Sequence, residues 1–158
     1  MSNAEVAPAV SEFTIELIRV SDYRFEARFD DPNIPALLTD ETPPLGANTG
    51  PSPVRLLAVA VTNCLAASLL FALRKFKNEP ASMRATGTVS MVRNTDNRLR
   101  VGRIAVDLKL GSSAAAIVQL DRILGQFEEF CVVTQSVRQA IPVAVRVLDD
   151  TDTVLHSS

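Results

Sequence analysis

At 158 residues the chain is sized for one domain that buries a core of its own. Hydrophobic residues make up 47% and charged residues 22%, and the formal net charge of -2 argues against a nucleic-acid partner, since the longest basic run is only RKFK at 74–77. Two cysteines exclude a disulfide scaffold, and two cysteines with one histidine leave no Cys/His zinc set.

The first residues, MSNAEVAPAVSEF, have neither a basic n-region nor an apolar h-region. Cytoplasm is therefore the expected location, with residues 1–11 disordered, a single domain over 12–150 and a fraying tail over 151–158. FTIELIRV (13–20) and YRFEARFD (23–30) alternate at period two and predict a hairpin. The second run sets Phe25, Ala27 and Phe29 against Arg24, Glu26 and Arg28. PALLTD (35–40) offers a third strand, and the proline and glycine content of 41–53 predicts a loop.

Ser52 and Pro53 then open a helix expected to run to about Lys77, with basic residues near its negative end and Glu79–Pro80 beyond it. No charge occurs from Leu56 to Leu73, which touches the lower length of a membrane span. Thr62, Asn63, Ser68 and many alanines interrupt the run, favouring a core or interface helix. Two strand-like runs follow, MRATGTVSMVRN and RLRVGRIAVDLKLG, separated by TDN. Ile117, Leu120, Ile123, Leu124 and Phe127 have helical spacing and predict one helix over 114–130. A short helix from Cys131 to about Gln139 and a strand in IPVAVRVLD complete the order. Strands grouped by hairpins, with helices between the groups, argue for an α+β fold.

His156 reads as a solvated tail residue. The acidic pairs Asp30–Asp31, Glu128–Glu129 and Asp149–Asp150 read as turn or solvated-face charges, and GANTGPSP lacks the lysine of a phosphate loop. The thiols remain. Cys64 sits in the apolar helix, where a buried cysteine often acts as a small hydrophobe. Cys131 opens a short helix, whose N–H groups lower a thiol pKa. A reactive thiol and a resolving thiol are the sharper reading of such a pair.

The run GPSPVRLLAVAVTNCLAASL, with a second cysteine 67 positions on (131 minus 64) opening CVVTQSVRQAIPV before the last strand, resembles the OsmC/Ohr family of osmotically inducible and organic hydroperoxide resistance proteins. The resemblance covers about residues 13–148. It implies antiparallel sheets wrapped around a long central helix in an intertwined homodimer. It also implies thiol-dependent reduction of organic hydroperoxides with no cofactor, in which Cys64 attacks the peroxide, Cys131 resolves the sulfenic acid and an external dithiol regenerates the pair. In the family an arginine from the N-terminal region, held by a glutamate ten residues before the first cysteine, stabilises the thiolate. Here that position is Val54. Arg55 lies about 180° round the helix from Cys64. Arg28, or secondarily Arg24, is the expected arginine, with Glu26 or Asp40 in place of the glutamate. The substitution at Val54 also opens an alternative function, an OsmC-fold small-molecule-binding or redox-responsive protein with little turnover.

Overall fold

The computed structural model describes residues 7–158, and the chain divides into two compact units between Pro53 and Val54. The expected disorder over 1–11 falls mostly outside the described residues; those from 7 to 14 form no helix or strand.

In the first unit, strands β1 (Ile15–Ser21), β2 (Arg24–Phe29) and β3 (Leu37–Thr39) form an antiparallel meander in that order. The β1–β2 hairpin pairs Ile15 with Phe29 and Ile18 with Glu26, and it turns at Asp22, whose φ is 38°. The period-two reading and the third strand both hold. The loop after β3 is organised by one side chain. The Asp40 carboxylate accepts from the N–H groups of Glu41 (2.8 Å), Ala47 (3.1 Å) and Thr49 (3.0 Å) and from the Thr49 hydroxyl (2.8 Å). These bonds, the Thr49 pair foremost, hold its carboxyl below the usual carboxylate range against the opposing effect of burial.

In the second unit, helix α1 (Pro53–Lys75) lies against a four-stranded sheet of β4 (Met83–Arg93), β5 (Leu99–Leu110), β6 (Val143–Leu148) and β7 (Val154–Ser157) in that order. Its Val61, Leu65, Leu69 and Leu73, four residues apart, are wholly buried in one core with Ile104, Leu108 and Leu110 of β5 and Val145 and Val147 of β6. An 18-residue window of α1 has mean hydropathy 2.2, enough by composition to cross a membrane. These contacts make it a core helix. The helix stops where the sequence indicates. Lys77 is left-handed (φ 62°), so that Asn78 N–H reaches Leu73 O (2.9 Å) and Lys77 N–H reaches Arg74 O (2.9 Å), the two bonds of a Schellman cap.

Three expectations are corrected. The single helix over 114–130 is instead a 3-10 turn at Ala114–Ala116, helix α2 (Leu120–Leu124) and a second 3-10 turn at Phe127–Phe130. The Asn78 side-chain amide takes both backbone groups of Val118, donating to its carbonyl (2.9 Å) and accepting from its N–H (2.8 Å), and Gln119 turns left-handed (φ 61°). Helical spacing was present, but the backbone bonds went elsewhere. Second, β5 and β6 run parallel, joined by the helical crossover of 111–142, within an otherwise antiparallel sheet. Third, the tail does not fray. The Asp149 carboxylate gathers the Thr151 N–H (2.9 Å), the Thr151 hydroxyl (2.7 Å) and the Thr153 N–H (3.0 Å), and the tight turn returns the chain as β7 against β6.

Candidate functional site: two neighbouring thiols

Cys64 stands in the middle of α1, partly exposed and packed on the core, and it has not bonded to Cys131. Cys131 is wholly buried. It follows the Phe127–Phe130 turn and caps α3 (Val132–Val137), in extended conformation with φ -83° and ψ 91°. Its sulfur accepts the Thr134 N–H (3.4 Å), as an N-cap side chain does, and its S–H donates to the Thr134 hydroxyl (2.9 Å). The fold brings the Cys64 thiol near enough to the Cys131 thiol to influence its ionisation.

The expected lowering of the Cys131 pKa at a helix start is not what this environment produces. Burial pushes the thiol up, the adjoining Cys64 thiol adds to the rise, and the two Thr134 hydrogen bonds oppose it without prevailing. Cys131 is thereby kept in its thiol form. Cys64 is the thiol with access to solvent.

Arg28 lies on the exposed side of β2 in the first unit, its side chain 57% exposed, with Nε 2.6 Å from Glu26 Oε1. Of the two carboxylates offered as an orienting partner, Glu26 makes this contact, whereas Asp40 is committed to its loop. Arg24, the second arginine considered, has a buried Nε with no hydrogen-bond partner and lines a cavity of about 260 Å³ together with Asp40, Gly46 and Thr49.

Sequence reasoning passed over a polar cluster beside the Cys131 helix. Glu128, read as a solvated-face charge, has a side chain only 13% exposed; its Oε2 accepts from Arg138 Nη2 (2.7 Å) and its Oε1 from His156 Nε2 (2.8 Å). Burial opposes ionisation, but the hydrogen bonds from His156, Arg138 and Ser158 together hold the Glu128 carboxyl below the usual carboxylate range. His156 is thus a packed residue, its ring edge-on to Phe127 at 5.5 Å. The only available signal was the alternation of VLHS, too short to read as a strand. Thr134 had a better one, standing three residues after a helix-opening cysteine.

The class of protein follows from these features: an α+β fold whose long apolar helix presents one thiol to a second thiol at the start of a short helix. Residues 46–146, well over half of the chain, match the family model described as OsmC-like protein, and the chain belongs to that family. Solved structures agree on the fold. An OsmC-like protein of unknown function from Vibrio cholerae O1 superposes with a TM-score of 0.73 at 16% identity, covering 88% of this chain and 100% of the other. An organic hydroperoxide resistance protein, OsmC, from Legionella pneumophila gives 0.68 at 15% identity (89% and 98% covered). The organic hydroperoxide resistance protein OhrB of Bacillus subtilis gives 0.64 at 17% identity (88% and 99% covered). Among curated proteins none matches the chain significantly.

Proposed function

We propose that the chain is a cytoplasmic thiol-dependent reductase of organic hydroperoxides, and the observation that carries this reading is the proximity of a partly exposed Cys64 to a buried Cys131. Cys64 thiolate attacks the distal peroxide oxygen, the O–O bond breaks, and the alkoxide leaves as the alcohol after taking a proton. Cys64 is then a sulfenic acid. Cys131 sulfur displaces its hydroxyl as water, forming the disulfide, and an external dithiol restores both thiols while becoming a disulfide itself. The test is consumption of an organic hydroperoxide by the reduced protein with dithiols of differing potential, with intact mass following the Cys64–Cys131 disulfide. Consumption no faster than in protein-free buffer overturns the reading.

Arg28, steadied by Glu26, is proposed as the cation that favours the Cys64 thiolate, from its own or the partner subunit. Arg28→Ala should slow Cys64 oxidation by about tenfold or more, the ordinary worth of one well-placed charge beside a thiolate. Stability should barely change, because the side chain is exposed. Alkylation rate against pH measures the first effect and thermal melting the second. An unchanged oxidation rate transfers the role to another cation, with Arg24 next in line.

A homodimer is proposed on the same surface logic that covers any apolar helix. Every residue of β1 is exposed, including Ile15, Leu17, Ile18 and Val20, and α1 exposes Val59 and Phe71, so that only 33% of its most apolar window is buried. A second copy of the chain supplies the cover. Sedimentation is expected to give a dimer at micromolar concentration; a stable folded monomer there contradicts it.

One observation favours a second reading. Ala58, Val59, Thr62, Asn63 and Ala66 of α1, with Ala85 and Gly87 of β4, line a groove of about 350 Å³, large enough for a small apolar ligand. With Val54 where the family carries its glutamate, a binding protein with little turnover is the reading that survives an inactive parent.

A further inference from the structure

Glu128 holds the Cys131 helix at both of its ends, by its backbone carbonyl at the start and by its carboxylate at the end. Glu128 lies three residues before Cys131, and its backbone carbonyl accepts the Cys131 N–H (3.1 Å) and the Gln135 side-chain amide (3.0 Å). Its carboxylate binds Arg138, the residue that ends α3 and whose own N–H returns to Thr134 O (2.9 Å). The same carboxylate binds His156 on β7, and β7 is paired with β6 in the sheet. One residue therefore ties the start of α3 through its backbone, and the end of α3 and the last strand through its partly buried carboxylate, with the His156 ring on the buried Phe127. Among the described residues, the hydrogen bonds of the Cys131 sulfur go to Thr134 and not to any of these three side chains.

The buried thiol at the centre of this clamp has to move to react. To attack, it must give up its proton and with it the bond to the Thr134 hydroxyl, and its sulfur must reach the Cys64 sulfur in line with the bond being broken. How often it does so depends on how firmly the α3 segment is held against α1. A segment free to drift by an ångström loses most of the benefit of having the second thiol already in place.

We propose that Glu128, Arg138 and His156 are positioning residues for the resolving thiol, setting the rate at which an oxidised Cys64 is converted to the internal disulfide. The proposal rests on the Cys64–Cys131 redox reading, and it sharpens it. A loosened clamp leaves the first oxidation of Cys64 unchanged and lengthens the life of the oxidised species. More of that species then passes to sulfinic acid in excess peroxide.

The experiment loads Cys64 in two ways and quenches with acid for intact-mass analysis. One arm uses an organic hydroperoxide. The other uses oxidised glutathione, where the Cys64 thiolate displaces glutathione thiolate to give a mixed disulfide, and Cys131 then displaces the second glutathione, which leaves as its thiol. Glu128→Gln and His156→Ala should resolve the Cys64 adduct about tenfold more slowly than the parent in both arms, with adduct formation unchanged. His156→Gln, which keeps a hydrogen-bond donor toward Glu128, should resolve near the parent rate. A purely structural staple would lower melting temperature without separating the two steps. Should His156→Ala fail to fold by circular dichroism, Arg138→Gln, whose side chain is 29% exposed, makes the comparison. Resolution at the parent rate in the glutathione arm overturns the proposal, as does a parent that forms no internal disulfide in either arm. A parent inert to hydroperoxide but showing the variant effect with glutathione sinks the peroxidase reading and leaves the clamp standing.

Discussion

Cys64→Ser is expected to abolish hydroperoxide turnover, by about 10³-fold or more, because a serine hydroxyl at neutral pH has no thiolate form with which to attack the peroxide oxygen. Cys131→Ser separates the steps. It should consume about one equivalent of hydroperoxide at the parent rate and then stall as the Cys64 sulfenic acid, which dimedone traps and excess peroxide carries to sulfinic acid. The pH dependence of the parent adds a sign. Burial raises the Cys131 pKa above the ordinary thiol range, so its thiolate fraction is small at pH 7 and grows as pH rises. Conversion of sulfenic acid to disulfide should therefore keep accelerating beyond about pH 9.5, where an ordinary thiol of pKa about 8.5 is already mostly thiolate and levels off. Stopped-flow mixing followed by acid quench and mass analysis measures both steps. Full activity in Cys64→Ser would assign the chemistry elsewhere, and a resolving rate that is flat from pH 7 to 9 would contradict the buried-thiol assignment.

The legible parts of this chain were those whose cause is local. Alternation in YRFEARFD, the Ser52–Pro53 start and the Glu79–Pro80 stop of α1, and the turn at TDN each rest on a few adjacent residues, and each appears in the structure where it was read. The proximity of the two thiols was legible through resemblance, since nothing in the spacing of Cys64 and Cys131 brings them together. The misread parts had distant causes. Asn78 breaks a helix forty residues away by claiming the backbone of Val118. The Cys131 pKa is decided by burial among side chains of α1 and the sheet, which outweighs the local effect of a helix start. His156 was dismissed because a residue near the end of a sequence has few neighbours in it; in the fold it meets Glu128, 28 positions earlier, and Phe127. Arg28 was read correctly as a polar-face residue, and its Glu26 partner lay two positions away on the same side of the strand.

Phe127→Ala is expected to give the largest loss of stability of any single core truncation in the second unit, about 3–5 kcal/mol. Phe127 is wholly buried, the bulkiest such side chain among the described residues, and it belongs to the cluster that contains Leu65, Leu69, Leu108 and Cys131. It sits on a four-residue 3-10 turn between two helices of only five and six residues, so there is little secondary structure to preserve the local shape once the ring is gone. The cavity would open between the core and the His156 ring, removing an edge-to-face contact along with the buried area. For a chain of this length such a loss lowers Tm by about 10 °C or more. Phe130, three residues on, provides the control. It remains partly exposed and packs edge-on to Phe71 at 5.6 Å, outside the buried cluster, so Phe130→Ala should cost about 1 kcal/mol or less in a protomer. Because Phe71 and Phe130 stand on an apolar surface with Val132, its larger effect should appear in the concentration dependence of Tm, as expected when a second copy covers that surface. Equal, concentration-independent losses for the two variants would mean that both rings serve one core, and that the exposed aromatic pair is not a contact between copies.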